Sequence, residues 1–276
     1  MPVSVPALET PSALPGSPNH VLECHFRHRG TGDRAMTEGR TTWRFPRSFW
    51  TGNAAELCER AAYYGTFIAL RTYLIRAVGL DDVQAGIVAG MFGGWIYLVP
   101  FFTGAAADRI GFRNALILAF ALLTAGYATL GFFHTLGPVL FGLALVVLGG
   151  AFVKPVITGT VSKTSDSTNR ARAFSIFYMV VNIGSFTGKT IVAPIRIEMG
   201  VENVPFFSAG AALLALIVVL LTFRPPEDEA TRPRTLADTL RGMWMAVRNL
   251  RFLALVLITA GFWSIQGQLY ASMPDY

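Results

Sequence analysis

Charge is what this sequence has least of. Only 14% of its 276 residues are Asp, Glu, Lys or Arg, against roughly 25% in an ordinary soluble domain. Cysteine is almost missing: Cys24 and Cys58 stand alone, in different surroundings and with no C-x-x-C spacing. That excludes a disulfide framework and gives no zinc or thiol-redox motif. Four histidines occur; His20, His25 and His28 crowd into the leading segment and only His134 lies beyond it. No phosphate-cradling G-x-x-x-x-G-K-[ST] is present, so nucleotide hydrolysis is not expected. Without a nucleophile–base pair, a metal cluster or a nucleotide loop, an enzyme is not expected, and no cofactor or metal is implied. A signal peptide is not expected either, since no basic region leads into an apolar core and a cleavage site.

What remains is apolar. Hydrophobic residues make up 53% of the chain, with 21 Phe and 27 Gly, and the mean hydropathy is +0.47. Such a balance suits lipid-facing surfaces and closely packed membrane helices. The formal charge of +6 would suit nucleic acid in a soluble protein. Here the basic residues sit in short connections between apolar segments, where cytoplasmic loops carry them. A lipid bilayer is the expected partner, and nucleic acid is not.

Residues 1–47 differ from the rest, being rich in Pro, Ser, Gly and Arg with no apolar run of membrane length. They read as a disordered or weakly structured cytoplasmic tail. Met36 offers a second natural start, which would make residues 1–35 an upstream extension. Beyond the tail come seven apolar segments, at about 51–75, 83–103, 114–133, 137–161, 173–194, 204–223 and 252–271. Each is long enough for a hydrocarbon layer roughly 30 Å thick. The chain is expected to be an all-α polytopic membrane protein. Its organisation reads as a six-helix bundle over 48–223, a cytoplasmic connection over 224–251 with an amphipathic stretch near 236–247, and a seventh helix over 252–276. A natural seven-helix receptor or scaffold is the alternative.

Basic residues set the orientation. Arg40, Arg44 and Arg47, then Arg109 and Arg113, then Lys163, Arg170 and Arg172, then Arg224, Arg232 and Arg234 mark alternate connections. The others hold Arg76 with Asp81 and Asp82, His134 alone, or Arg196 with Glu198 and Glu202. This alternation places the N-terminus in the cytoplasm of a multi-pass protein of the inner (plasma) membrane.

Several charges fall inside the apolar segments, where each costs several kcal/mol unless it is paired or faces water. Glu56, Glu59 and Arg60 lie at i, i+3 and i+4 on one face of the first span. A carboxylate beside a guanidinium is a usable proton switch, although Glu56 near the cytoplasmic end can also reach the headgroups. Lys154, followed by Pro155, stands inside the fourth span. It either takes Glu56 or Glu59 as a partner or reaches the cytoplasmic surface. Tyr178 and Asn182 share a face of the fifth span, and Asn182 reads equally as a substrate ligand or as helix-to-helix glue. Lys189, two turns further on, reads as lying near the outer surface. In the seventh span Trp263, Gln266 and Gln268 either touch a substrate or pack. Between spans two and three, GAAADRIGFR reads as a charged cytoplasmic turn: Gly104 allows close approach, Asp108 and Arg109 pair at the membrane edge, and Gly111 permits the turn.

These residues, in this order and spacing, resemble the proton-dependent oligopeptide transporter family of the major facilitator superfamily. The resemblance runs from about residue 45 to the end of the chain. The family's first-helix pattern E-x-x-E-R-F-x-Y-Y-G stands here as Glu56, Glu59, Arg60, Ala61, Tyr63, Tyr64 and Gly65. The superfamily loop G-x-x-x-D-R-x-G stands as Gly104, Asp108, Arg109 and Gly111, with Arg113 in keeping. The helix-four lysine and proline match Lys154 and Pro155. F-Y-x-x-x-N-x-G matches Phe177, Tyr178, Asn182 and Gly184, and F-W with a following Gln matches Phe262, Trp263 and Gln268.

The resemblance implies the superfamily fold, here as an N-terminal six-helix bundle plus the start of a second, missing C-terminal bundle. It implies proton-coupled import of di- and tripeptides or related small solutes by alternating access. Protons would couple through Glu56, Glu59, Arg60 and Lys154. Tyr63, Tyr64, Arg71, Lys154, Tyr178, Asn182, Trp263 and Gln268 would meet the substrate. Gly104, Asp108, Arg109, Gly111 and Arg113 would gate the cytoplasmic contact. Three departures bear on this: Ala61 replaces the family Phe, Gly267 stands where many members have a carboxylate, and Phe67 replaces a cavity arginine, with Arg71 one turn later. They leave nitrate or a small organic solute as the alternative substrate class.

Overall fold

In the computed structural model, residues 44–225, 241–242, 244–245 and 248–272 are described, with backbone only at 263 and from 266 onward. The tail, most of the inter-bundle connection and the side chains of Trp263, Gln266 and Gln268 lie outside the described residues. All regular structure among the described residues is helical. The elements are α1 (Arg47–Arg76), α2 (Asp82–Leu98), α3 (Pro100–Ile110), α4 (Phe112–Phe132), α5 (Leu136–Lys163), α6 (Arg170–Pro194), α7 (Val204–Thr222) and α8 (Leu250–Ser272). A single π turn, Ile195–Met199, and a 3-10 turn, Val201–Asn203, join α6 to α7.

By length and composition, α4, α5, α6 with its π turn, and α7 with its 3-10 turn can each cross a membrane. The α2–α3 pair, bent by 45°, is long and apolar enough for a fifth crossing when taken as one span. Pro100 causes the bend: it has no N–H to continue the ladder, and the helix restarts from the Val99 carbonyl, which accepts from Phe102 and Thr103. The second span therefore does not end near 103. Helix continues to Ile110, and Gly111, at φ +83°, makes the whole turn into α4. Gly104, Asp108 and Arg109 stand on helix, not on a loop. Among the described residues no ion pair joins Asp108 to Arg109.

The first expected span is the 30-residue α1. Its charges keep it below the apolarity of the other spans, and its neighbours explain why that is tolerable. α1 is enclosed by α6 and α7, with α5 and α2 completing the ring. Eighteen of its residues are buried, Glu56, Glu59 and Arg60 among them. The least apolar span is thus screened from lipid, as the cost of membrane-embedded charge requires.

α4 ties the bundle together, packing against α5 and α7. Phe120, Leu123, Tyr127 and Leu130 form its buried stripe. Gly149 of α5 lets the two backbones close, for a Cβ there would lie 2.7 Å from the Ala119 carbonyl oxygen. Polar links are few and specific. The Thr66 hydroxyl donates to Ser208 Oγ (2.7 Å), and Ser208 donates to the Ala62 carbonyl (2.9 Å), joining α1 to α7. At the far end of α1 the Tyr73 hydroxyl donates to the Leu130 carbonyl of α4 (2.6 Å).

Candidate functional site

The centre of the site is on α1. Arg60 makes ion pairs with both glutamates, Glu56 at 3.3 Å and the adjacent Glu59. The i, i+4 spacing stacks Glu56 one turn below Arg60 on the same face. All three are at most 5% exposed. One oxygen of Glu56, Oε2, is buried without a hydrogen-bond partner. A buried acceptor left in that condition costs about 1–3 kcal/mol, and a proton there would convert it to a donor.

The guanidinium also meets two rings, with Cζ 5.1 Å from the Tyr63 centroid and 5.9 Å from that of Tyr64. Tyr63 is buried, in contact with Tyr64 edge to face and stacked on Phe67 and Phe92. Phe67 thus extends an aromatic wall where a cation would break it.

Glu59 faces α5. A Cβ on Gly150 would lie 3.9 Å from Glu59 Oε1, and Lys154 is four residues along on that same face of α5. Lys154 is within electrostatic reach of Glu56, Glu59 and Arg60. Its Nζ sits 4.8 Å from the Tyr97 ring centroid of α2, and among the described residues it forms no ion pair with either glutamate. The partner expected from sequence is near but is held by Arg60 in this arrangement.

Lys154 owes its placement to Pro155. The proline lacks the N–H that would reach the Ala151 carbonyl one turn earlier. The Thr103 hydroxyl of α3 donates to that carbonyl instead, at 2.7 Å. Gly104, next along, packs on Pro155 with room for ordinary contact only. Thr103 was not among the residues picked from the sequence. Its signal was indirect: a proline in a span needs a donor from elsewhere.

α6 supplies the other wall. A Cβ on Gly184 would lie 2.8 Å from both Arg60 Cβ and the Leu57 carbonyl oxygen, and one on Gly188 would overlap the Ala61 carbonyl. This G-x-x-x-G face presses α6 onto α1 at the level of the charged cluster. Tyr178 is 61% exposed, and Asn182 donates to the Tyr178 carbonyl of its own helix (2.7 Å). Lys189 turns toward α1: its Nζ lies 5.2 Å from the Tyr64 ring centroid. Tyr127 of α4, fully buried and within electrostatic reach of Glu59, Tyr63 and Arg60, also belongs to the site and was missed.

Arg71 stands apart from this cluster. It is exposed and meets Asp82 at the start of α2 across 3.3 Å. Asp108 and Arg109 end α3, and exposed Arg113 donates to the Leu220 carbonyl of α7 (3.0 Å).

Comparison with known proteins gives the family of the chain. The chain is similar to the dipeptide and tripeptide permease A of Erwinia pyrifoliae, 24% identical over 232 residues, covering 83% of this chain and 46% of that protein. It is similar to the di-/tripeptide transporter of Lactococcus lactis subsp. cremoris, 30% identical over 188 residues, covering 64% of this chain and 37% of that one. A crystal structure of a peptide transporter POT mutant in complex with sulfate superimposes with a TM-score of 0.64 at 24% identity, over 78% of this chain and 46% of that one. The chain spans less than half the length of these relatives. The family model of the Major Facilitator Superfamily matches residues 54–276, which takes in every described helix from the charged turn of α1 onward, and the chain belongs to that superfamily.

Proposed function

We propose that this chain forms the N-terminal bundle of a proton-coupled importer of di- and tripeptides, working by alternating access across the plasma membrane. The observation that carries the reading is the buried Glu56–Glu59–Arg60 cluster with Lys154 in reach but unpaired with either acid. With both acids ionised, Arg60 answers one of two negative charges, and Lys154 is placed to answer the second. A proton on Glu59 weakens its hold on Arg60. Loss of that proton restores a carboxylate that either cation can take. Two packings of α1 against α5 and α2 follow, one for each partner of Glu59.

The basic connections support a cytoplasmic N-terminus. In that orientation Asp108, Arg109 and Arg113 lie at the cytoplasmic end of the bundle, around the turn from α3 to α4, as gating residues do. Residues 1–47 are then a cytoplasmic tail, 48–223 the bundle and 224–251 the connection, and 252–276 open a second bundle that supplies the other half of the cavity, with Trp263 and Gln268 as its candidate substrate residues. Tyr63, Tyr64, Tyr178 and Asn182 line this half. The names of the Erwinia and Lactococcus relatives support peptides as the substrate class. A second reading, a small non-peptide solute, is favoured by Phe67 stacked on Tyr63 and by Arg71 turned away to Asp82.

The test is uptake into proteoliposomes holding the full-length gene product, under an imposed inward proton gradient. A labelled dipeptide is run beside nitrate and amino acids, in wild type and in Glu59→Gln. Dipeptide uptake that needs both the gradient and Glu59 is expected. Gradient-driven uptake of another solute alone moves the substrate away from peptides. Indifference to gradient and substitution rejects the coupling cluster.

A further inference from the structure

Asn53 is a buried polar side chain that the mechanism above does not use. It lies on α1 three residues before Glu56, and each of the two is 2% exposed. Its amide nitrogen Nδ2 donates to the Phe49 carbonyl one turn earlier, at 2.8 Å. That bond fixes the amide, with Nδ2 toward Phe49 and Oδ1 turned away from it. Oδ1 is buried without a donor, and so is Oε2 of Glu56. Two buried acceptors without donors, so close in the chain, are a costly arrangement.

Their spacing makes them neighbours. Residues three apart on a helix share a face, with Cβ atoms about 5–6 Å apart. Helical side chains lean toward the start of their helix, so Glu56 leans over Asn53. Arg60 leans back in the same way and takes the other Glu56 oxygen, Oε1, at 3.3 Å. The two oxygens of Glu56 therefore differ: Oε1 has a cation, and Oε2 has no donor from the protein. One proton on Oε2 turns it into a donor, and Asn53 Oδ1 is an acceptor. A single proton thus satisfies both atoms and needs no added space. A bridging water would have these two acceptors alone, fewer than the about three bonds a buried water usually makes.

The charges around Glu56 come from several helices. Glu59 and Arg60 of α1 and Lys154 of α5 are within electrostatic reach of it. Tyr97 of α2 lies under Lys154, Tyr127 of α4 is within reach of Glu59, and Lys189 of α6 lies at the Tyr64 ring. α7 carries no ionisable side chain. The acids and cations set how readily Glu56 takes a proton, and Asn53 sets the oxygen on which it rests.

We propose that Asn53 is a positioning residue of the proton site: its Oδ1 accepts a hydrogen bond from protonated Glu56 Oε2 and holds the proton on the oxygen that Arg60 does not take. The inference rests on the coupling reading of the cluster and names the group that keeps its proton in place. The O–H bond of Glu56 is the one bond made and broken: the proton arrives from water, joins Oε2 and returns to water.

The experiment uses the full-length gene product in proteoliposomes as wild type, Asn53→Leu and Asn53→Thr. Infrared difference spectra between acid and neutral pH record the C=O stretch of protonated carboxyls, and Glu56→Gln identifies the Glu56 band by its loss. A carboxyl that donates a hydrogen bond absorbs at lower wavenumber than a free one. In Asn53→Leu the band is expected to move to higher wavenumber. The pH at which it is half developed is expected to fall by about half to one unit, as loss of one hydrogen bond implies. Asn53→Thr is expected to stay near wild type. A Thr hydroxyl there can donate to the carbonyl one turn back, as Thr51 does to Arg47 at 3.0 Å, and still accept. Asn53→Ala replaces Asn53→Leu if the latter is not recovered folded. An unmoved band in Asn53→Leu, an equal move in Asn53→Thr, or no band lost in Glu56→Gln overturns the proposal. Uptake under a proton gradient is read separately in the same vesicles. A moved band without gradient-driven uptake keeps the Asn53–Glu56 bond and rejects the coupling reading. Gradient-driven uptake with an unmoved band keeps the coupling and rejects the bond.

Discussion

Thr103 of α3 donates its hydroxyl to the carbonyl of Ala151 on α5, the one carbonyl that Pro155 leaves without an intrahelical donor. The bond is buried and 2.7 Å long. It joins the broken second crossing to the helix that carries Lys154, and it does so one turn before that lysine. The proline and the threonine form a single device: one opens the ladder of α5, and the other closes it from a neighbouring helix.

Thr103→Val keeps the shape and removes the donor. A buried carbonyl left unpaired costs about 1–3 kcal/mol, so the melting temperature in detergent should fall. Thr103→Ser should stay near wild type. Pro155→Ala returns an N–H to Ala151, and in that background Thr103→Val should cost little, a coupling that a double-mutant cycle reads directly. An undiminished cost beside Pro155→Ala would mean that Thr103 acts by packing alone.

Gly188 makes the second prediction. A methyl group there would overlap the Ala61 carbonyl, so Gly188→Ala must push α6 off α1. Overpacking of this kind costs about 1–3 kcal/mol. The same shift withdraws Lys189 from Tyr64, and uptake should fall with stability. Gly210→Ala on α7 is the control, because nothing lies within 4 Å of the added carbon. It should melt no lower than wild type. A Gly188→Ala protein as stable as the control would show that the two backbones do not meet as closely as described.

The parts of this site that were legible from sequence are those set by one helix. Glu56, Glu59 and Arg60 share a face because helical spacing puts them there, and burial on an enclosed helix is what their charge demands. What depends on two helices was less legible. Lys154 was readable as an embedded cation, but its position over Tyr97 and not on Glu59 turns on the approach of α2. The stretch from Gly104 to Arg109 looked like loop because glycine and charge mark loops. Thr103, bonded to Ala151, and Gly104, packed on Pro155, set it as helix against α5. The approach of Lys189 to Tyr64 likewise depends on how α6 meets α1.

A last prediction concerns pH at the turn between α5 and α6. Asp166 is exposed there, and its Oδ1 accepts from the Thr168 hydroxyl (2.6 Å), the Thr168 N–H (2.8 Å) and the Asn169 N–H (3.0 Å). The Thr168 hydroxyl first, then the two backbone donors, hold its carboxyl below the usual carboxylate value. The Asn169 side-chain oxygen in turn accepts from the Asp166 N–H (2.9 Å), so the turn that starts α6 is closed from both sides. Because folding lowers this pKa, the ionised form favours the folded turn. Its contribution is complete above the unfolded value, about 3.9 for an aspartate, and is lost as pH falls through the lower folded value. Asp166→Ala should therefore loosen the first turn of α6 at neutral pH, read as faster amide exchange at Asn169 and Arg170. Between wild type and variant, once corrected for intrinsic exchange rates, the difference should hold steady from pH 7 to about 5 and shrink below about 4. A difference that grows on acidification would assign the turn's stability to groups other than the Asp166 carboxylate.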